Sequence, residues 1–203
     1  MAITPETRDY RTFEVRALPQ EGGDGQTQCR VEGYAAVFDE ETVLYEYDGI
    51  QYKEVIDRNA FSGAEMRDVV MNFNHGGKPV ARTKNGTLTL TVDTKGLHIS
   101  ADLSGTEEGR RLYEEIRGGY IDRMSFAFTV NKQEYDRAKH LRRITGFRRI
   151  FDVAAVDIPA YDGTSIAARS WAAAEAEHEH AEAEKRRRLA LKLKLNGITK
   201  EET

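Results

Sequence analysis

Tyr120-Ile121-Asp122-Arg123-Met124-Ser125-Phe126-Ala127-Phe128-Thr129-Val130 is the stretch on which the reading of this chain turns. It follows Gly118-Gly119, a glycine pair that ends a helical pattern, and it alternates with the period of two expected of a β-strand. Met124, Phe126, Phe128 and Val130 fall on one face and are bulky enough to fill a core. Arg123, Ser125, Ala127 and Thr129 fall on the other, where side chains are mostly small. A hydroxyl on that face is expected to have open space before it, as a nucleophile needs. A serine in a strand is more commonly a plain polar residue, so the neighbouring segments must decide.

Downstream, residues 131–140 read as a polar turn and residues 141–147 as the start of a return strand. The run Arg149-Ile150-Phe151-Asp152-Val153-Ala154-Ala155-Val156-Asp157-Ile158 is apolar on both faces and bounded by Pro159, the pattern of a strand buried on two sides. Its two carboxylates are informative, because a buried charge is expensive unless something pairs with it. Upstream, Thr106 caps a helix in which Leu112, Tyr113 and Ile116 have helical spacing, with Glu107 and Glu108 at its positive end. Before it, Leu88, Leu90 and Val92, then Leu97, Ile99, Ala101 and Leu103, read as antiparallel strands. Asn85-Gly86 signals a hairpin turn.

Nearer the N-terminus, residues 9–18 and 30–38 read as strands, with Gly33 a candidate bulge, and residues 20–28 as a glycine-rich loop. Residues 39–49 are acidic and loop-like, residues 52–56 a short strand, and Asp57 a cap for a short helix to Met66. In Val69-Val70-Met71-Asn72-Phe73-Asn74-His75 the alternation puts His75 on the Met71 and Phe73 face, at a strand end that runs into Gly76-Gly77-Lys78-Pro79. After Ile166 the composition changes. Residues 171–184 are nearly all Ala, Glu and His, Lys185-Arg186-Arg187-Arg188 reverses the charge, and residues 189–195 alternate leucine with lysine or alanine. This is a helical tail, either solvated or a docking element for a partner.

The bulk composition narrows the function classes. With 203 residues, 39% hydrophobic, there is room for one domain and an appendage. A net charge of −4 gives no overall preference for nucleic acid. No stretch approaches the roughly 18 apolar residues of a membrane span, and Met1-Ala2-Ile3-Thr4-Pro5-Glu6 lacks the form of a signal peptide. The single cysteine, Cys29, excludes an internal disulfide and fits a reducing compartment. No Cys/His set with zinc-ligand spacing is present, and His178-Glu179-His180 puts its imidazoles on different helix faces. Gly76-Gly77-Lys78 lacks the Ser or Thr of a phosphate loop. Arg142-Arg143 and Arg148-Arg149 read as solvated edge residues of a hairpin.

Three residues remain: His75 at a strand end, Ser125 on a strand face of small side chains, and Asp152 in an apolar strand. A serine nucleophile needs a base to take its proton, and the base needs a third group to hold its tautomer. These residue types supply those roles in the order His, Ser, acid. Whether they converge is decided by the tertiary structure.

The series Gly33-Tyr34-Ala35-Ala36-Val37-Phe38, Asn59-Ala60-Phe61, Asn74-His75, Gly109-Arg110, Asp122-Arg123-Met124-Ser125-Phe126-Ala127-Phe128 and Asp152-Val153-Ala154-Ala155-Val156-Asp157-Ile158-Pro159-Ala160 resembles the prohead proteases of tailed bacteriophages. That family in turn resembles the herpesvirus assemblins, serine proteases built on a closed antiparallel barrel. The match runs over residues 10–168 in order. It implies an α+β fold: a closed antiparallel β-barrel with a few surrounding helices, residues 1–168, followed by a charged helical tail, residues 169–203. It implies a serine endopeptidase with His75 as general base, Ser125 as nucleophile and Asp152 as third member, where the family commonly has Glu. Asp157, in the same strand, is the alternative.

The implied substrate is scaffold protein or the scaffolding extension of the major capsid protein, cut inside the assembling prohead in the host cytoplasm, with self-cleavage. The resemblance implies no cofactor, metal, membrane or specific nucleic acid, and leaves room for a homo-oligomer. The other readings are a non-cleaving scaffold or capsid-assembly protein that retains the barrel, and a small-molecule esterase or amidase. The absence of a Gly-x-Ser-x-Gly elbow weighs against the last.

Overall fold

The computed structural model describes residues 9–18, 29–157 and 166–201. The glycine-rich loop expected over residues 20–28, the first six residues and the Pro159 boundary lie outside the described residues. Among them are ten strands and two α-helices: β1 (Asp9–Ala17), β2 (Arg30–Val37), β3 (Thr42–Tyr47), β4 (Ile50–Ile56), β5 (Val70–Phe73), β6 (Gly76–Arg82), β7 (Leu88–Val92), β8 (Gly96–Asp102), α1 (Glu107–Arg117), β9 (Arg123–Asp136), β10 (Leu141–Val156) and α2 (Ile166–Glu201). The architecture is mixed α+β and mostly strand. No described helix is long and apolar enough to cross a membrane.

The sheet is organised around β9 and β10, strands of 14 and 16 residues joined antiparallel through a short turn. The polar segment read as a turn over residues 131–140 is mostly strand, because β9 runs on to Asp136. Met124, Phe126 and Phe128 are fully buried. Phe126 and Phe128 stack at 4.7 Å, while Phe147 meets Phe128 edge-on at 4.9 Å and lies tilted against Phe61 at 4.6 Å. Each such side chain removed from water contributes about 1.5–3 kcal/mol. This aromatic layer holds β9 rigidly, with its other face turned away from the core.

The strand order is β3-β4-β10-β9-β1-β2-β8-β7, with β5 and β6 branching from β10. The path is open: no ladder among the described residues joins its ends, so the closed barrel expected from the sequence is not what the pairing shows. Nor is the sheet wholly antiparallel. β10 pairs in parallel with β4 at Leu141–Ile144 and with β5 at Asp152–Ala155. Between those strands, residues 57–69 track β10 in the same direction, Glu65 accepting from Ile150 N and donating its own N–H to Arg148 O, both at 3.0 Å.

That tracking explains the loss of the helix expected from Asp57 to Met66. The segment spends its backbone groups on β10, Ala60 O accepting from Phe147 N at 2.8 Å, so it is left with turns. Asp57 accepts from Asn59 N at 3.0 Å. That contact, with Arg143 nearby, holds its carboxyl below the usual range. The segment read as an acidic loop contains β3, an edge strand that buries Leu44. Asn85-Gly86 does not turn a paired hairpin. It ends a 3₁₀ turn, Thr83–Asn85, between β6, which pairs with β5, and β7, which pairs with β8.

α1 forms as expected: Thr106 Oγ1 accepts from Gly109 N at 2.9 Å, and Leu112, Tyr113 and Ile116 are buried. α2 is the helical tail expected after Ile166. Its proximal turns are docked, with Ala172 and Ala176 packing on Leu44 and Tyr52. Glu179 accepts from Tyr52 OH at 3.1 Å and Tyr135 OH at 3.0 Å, and pairs with His140 at 2.8 Å. Burial and then Glu179 push the Tyr52 hydroxyl up to about 12. Farther along, Leu189, Leu191 and Leu193 are exposed.

Gly33 is not the bulge. The irregularity in β2 lies between Tyr34 and Ala36. Gly33 pairs with Val15, and a Cβ there would lie 2.5 Å from Glu14 O and 3.2 Å from Met124 Sδ. The glycine lets β2 approach β1 and the underside of the Ser125 strand. Gly33→Ala should therefore cost about 1–3 kcal/mol through overpacking. It should lower the urea midpoint, while Gly105→Ala, where nothing lies within 4 Å, should leave it unchanged.

Candidate active site

The pairing of β9 with β10 decides which side chains share a face with Ser125. Ile150 opposes Phe128 and Asp152 opposes Ala127, so Phe151 is an extra residue in β10. Ile150 and Asp152 would share a face under strict alternation. The bulge at Phe151 breaks the alternation, so Ile150 faces the core while Asp152 faces the opposite way, as do Ala154, Ser125 and Ala127. Bulges commonly re-aim a side chain in this manner. Without this one, Asp152 would point into the aromatic layer, where an unpaired carboxylate is expensive.

His75 reaches the same face by a second departure from alternation. Phe73 pairs with Gly76, which leaves Asn74 and His75 as a two-residue hairpin turn. Both have positive φ, 49° and 55°, as a type I′ turn requires. Asn tolerates that region well; His does so less often, at about 1–3 kcal/mol. The alternation of β5 predicts His75 on the Met71 side. The turn instead places its Nδ1 2.5 Å from Asp152 Oδ1.

Both partners are largely enclosed, their side chains 20% and 9% exposed, so solvent screens the contact little. Asn74 steadies the turn: its backbone N–H donates to Ala155 O at 2.9 Å, and its Oδ1 accepts from Asp157 N at 3.3 Å.

Ser125 is on the strand beside Asp152, opposite Ala154. Diagonal neighbours of this kind lie roughly 7–8 Å apart, within the span of an imidazole placed between them. The face is not open, contrary to the sequence-based expectation: Ser125 is 3% exposed, Ala127 0% and Thr129 4%. Anything that reaches the Ser125 hydroxyl must first displace what covers this face. Asp157 lies beyond the end of β10 and is exposed. Its backbone supports Asn74, whereas it is Asp152 that meets His75.

The other candidates are occupied elsewhere. Cys29 is buried, and burial pushes its thiol up, away from the nucleophilic thiolate. Lys78 binds Glu108 at the start of α1 at 3.1 Å. Arg142 is not an edge residue: it is fully buried, donating to Glu54 and Gln133, while Arg143 reaches Asp57. Among the described residues no cluster of His, Cys, Asp and Glu could hold a metal ion. The pattern reading passed over Asn72. It is buried on the Ser125 face, opposite Ala154 in β5, and its signal was a polar residue inside an apolar strand.

The short His75–Asp152 contact should give a far-downfield imidazole proton resonance in the folded protein. Asp152→Asn and His75→Gln should abolish it, and Asp157→Asn should keep it. A signal that survives Asp152→Asn would assign the contact to another group.

Comparison with known proteins bears on residues 12–180, which match the family model described as caudovirus prohead serine protease. The chain is also 30% identical over 152 residues to the prohead protease of Enterobacteria phage HK97, covering 72% of this chain and 62% of that protein. The chain thus spans less than two thirds of the curated relative's length. No solved structure matches. The family match takes in β9, β10, the β5–β6 turn and the docked part of α2, and by it the chain belongs to the caudovirus prohead serine protease family.

Proposed function

We propose that this protein is a serine endopeptidase that cleaves scaffold protein, or the scaffolding extension of the major capsid protein, inside the assembling prohead, and that it also cleaves itself. The observation that carries the proposal is the His75–Asp152 contact on the face that bears Ser125, in a chain of this family. The likeness to the assemblins, and residues 1–168 as the catalytic unit, belong to the same proposal.

Asp152 accepts from Nδ1–H of His75 and so leaves Nε2 as the basic nitrogen. Ser125 Oγ attacks the scissile carbonyl carbon while its proton passes to Nε2. The tetrahedral intermediate then collapses. The carbon–nitrogen bond breaks, and the Nε2 proton goes to the departing amine. Water repeats the sequence on the acyl-enzyme, its proton moving through His75 and back to Ser125. The carboxylate of Asp152 stabilises the imidazolium formed at each step. Enclosure strengthens that interaction relative to an exposed pair.

Ser125→Ala and His75→Ala should abolish processing of a co-expressed capsid protein, read by mass spectrometry, while Cys29→Ser cleaves normally. Asp152→Asn should reduce the rate by roughly 10⁴-fold with the fold retained, because a neutral amide favours the wrong tautomer. Asp157→Asn should remain active. Full cleavage by Ser125→Ala would point instead to a non-cleaving assembly protein and a host protease.

The exposed end of α2 is the recruitment element in this proposal. Lys185, Arg186, Arg187 and Arg188 precede Leu189, Leu191 and Leu193, and all are solvent-facing. Such a segment suits pairing with an acidic, helical stretch of scaffold. Because Glu179 and the alanines before it are packed on the sheet, the informative truncation removes residues after 184 only. It should leave peptide cleavage unchanged and lower the number of protease copies in purified proheads. Equal packaging of the truncated protein would make this segment a solvated extension.

A further inference from the structure

Asn72 is 7% exposed, and among the described residues its Oδ1 is sealed from solvent without a hydrogen-bond partner. A buried polar atom left unmade is destabilising, and stored cost of this kind collects where a ligand completes the bonding. The position gives the cost a use. Asn72 opposes Ala154 in the β5–β10 ladder, and Ala154 opposes Ser125 in the β10–β9 ladder. The three form one row on one face, Asn72, Ala154, Ser125, with a methyl group between the amide and the hydroxyl. Neighbouring strands are about 4.8 Å apart, so Asn72 and Ser125 are separated by roughly 10 Å, the length of about three residues of extended chain.

We infer that Asn72 is a substrate-positioning residue whose side-chain amide hydrogen-bonds the peptide main chain two or three residues from the scissile bond. This inference rests on the endopeptidase reading above. A peptide backbone offers both N–H and C=O groups, and a primary amide both accepts and donates, so either orientation of the Asn72 amide finds a partner. Main-chain recognition of this kind is indifferent to the side chains of the substrate. The enclosure of the face does not oppose it: Ser125 is at least as buried, so a substrate that gains the hydroxyl uncovers the same row. The turn that carries His75 is the continuation of β5, so one short strand holds both the base and the positioning amide.

The test compares wild type, Asn72→Leu, Asn72→Ala and Ser125→Ala on two peptides that span the cleavage site mapped in the capsid protein. One extends well past the site on both sides and one is trimmed close to it. Leu has the branched four-heavy-atom side chain of Asn and cannot hydrogen-bond, so Asn72→Leu removes the stranded oxygen and should melt near or above the wild-type temperature. It should raise KM for the long peptide about tenfold, the loss of one hydrogen bond, with kcat little changed. It should match wild type on the trimmed peptide and in the rate of Ser125 labelling by a small fluorophosphonate. Asn72→Ala repeats the comparison if the leucine does not pack.

Wild-type KM for the long peptide in a folded Asn72 variant overturns the inference and leaves the endopeptidase reading intact. Slowed fluorophosphonate labelling also overturns it, since Asn72 would then act through the nucleophile and not on the substrate. Cleavage of the long peptide by Ser125→Ala removes the reading on which both stand.

Discussion

The placement of Asp152 depends on one irregularity in one ladder. β10 carries an extra residue, Phe151, against β9, and that residue moves Asp152 from the core face to the face of Ser125. On the core side, Asp152 would meet the apolar surfaces of Phe126, Phe128 and Val153, where a carboxylate is expensive to bury. On the other, the imidazole of His75 is 2.5 Å away. The energetics of burial and the chemistry of the site thus ask for the same geometry. A buried carboxylate is tolerable where it is paired, and in the proposed mechanism the same pairing with His75 orients the base.

Holding that ladder in place requires the sheet to curl, and the curl has its own tie. Arg11 of β1 passes over the Phe128 ring, 5.3 Å from its centre, to reach Glu54 of β4 at 2.6 Å. Arg142 of β10 binds the other oxygen of Glu54 at 2.9 Å. Although β1 and β4 are separated by two strands in the pairing order, these side chains join them. Replacing such a network by apolar residues can be neutral for stability, so its value lies in geometry. It admits only the curvature that brings the two guanidinium groups to one carboxylate. The proximal half of α2 closes the outside of the same region through Glu179, which gathers Tyr52, Tyr135 and His140 from β4, β9 and the turn after it.

Local pattern and long-range pairing separate cleanly along this chain. Alternation in residues 123–130 identified the core face of β9, because a period of two is a local property of an extended backbone. The Thr106 cap and the α1 stripe were legible for the same reason, since capping and helical spacing involve residues three or four apart. Residue chemistry singled out His75, Ser125 and Asp152, and the motif resemblance implied their roles. The face of His75 was misjudged, because two left-handed residues reverse the direction that simple alternation predicts. The space before Ser125 was misjudged as well, because small side chains allow close cover as readily as open access.

What the sequence determined by itself is therefore which residues are candidates for chemistry, which family the chain belongs to, and which faces of β9 and α1 are apolar. All of these follow from residue type and short spacing. The tertiary structure decided the parallel course of β4 and β5 along β10, the open path of the sheet, the strand hidden in an acidic segment, and the meeting of His75 with Asp152 in preference to Asp157. It also decided that Asn72 shares a row with Ser125. Each of these depends on register between segments far apart in the chain. A single inserted residue in one strand changes which side chains meet, and no local pattern of hydrophobicity records that insertion.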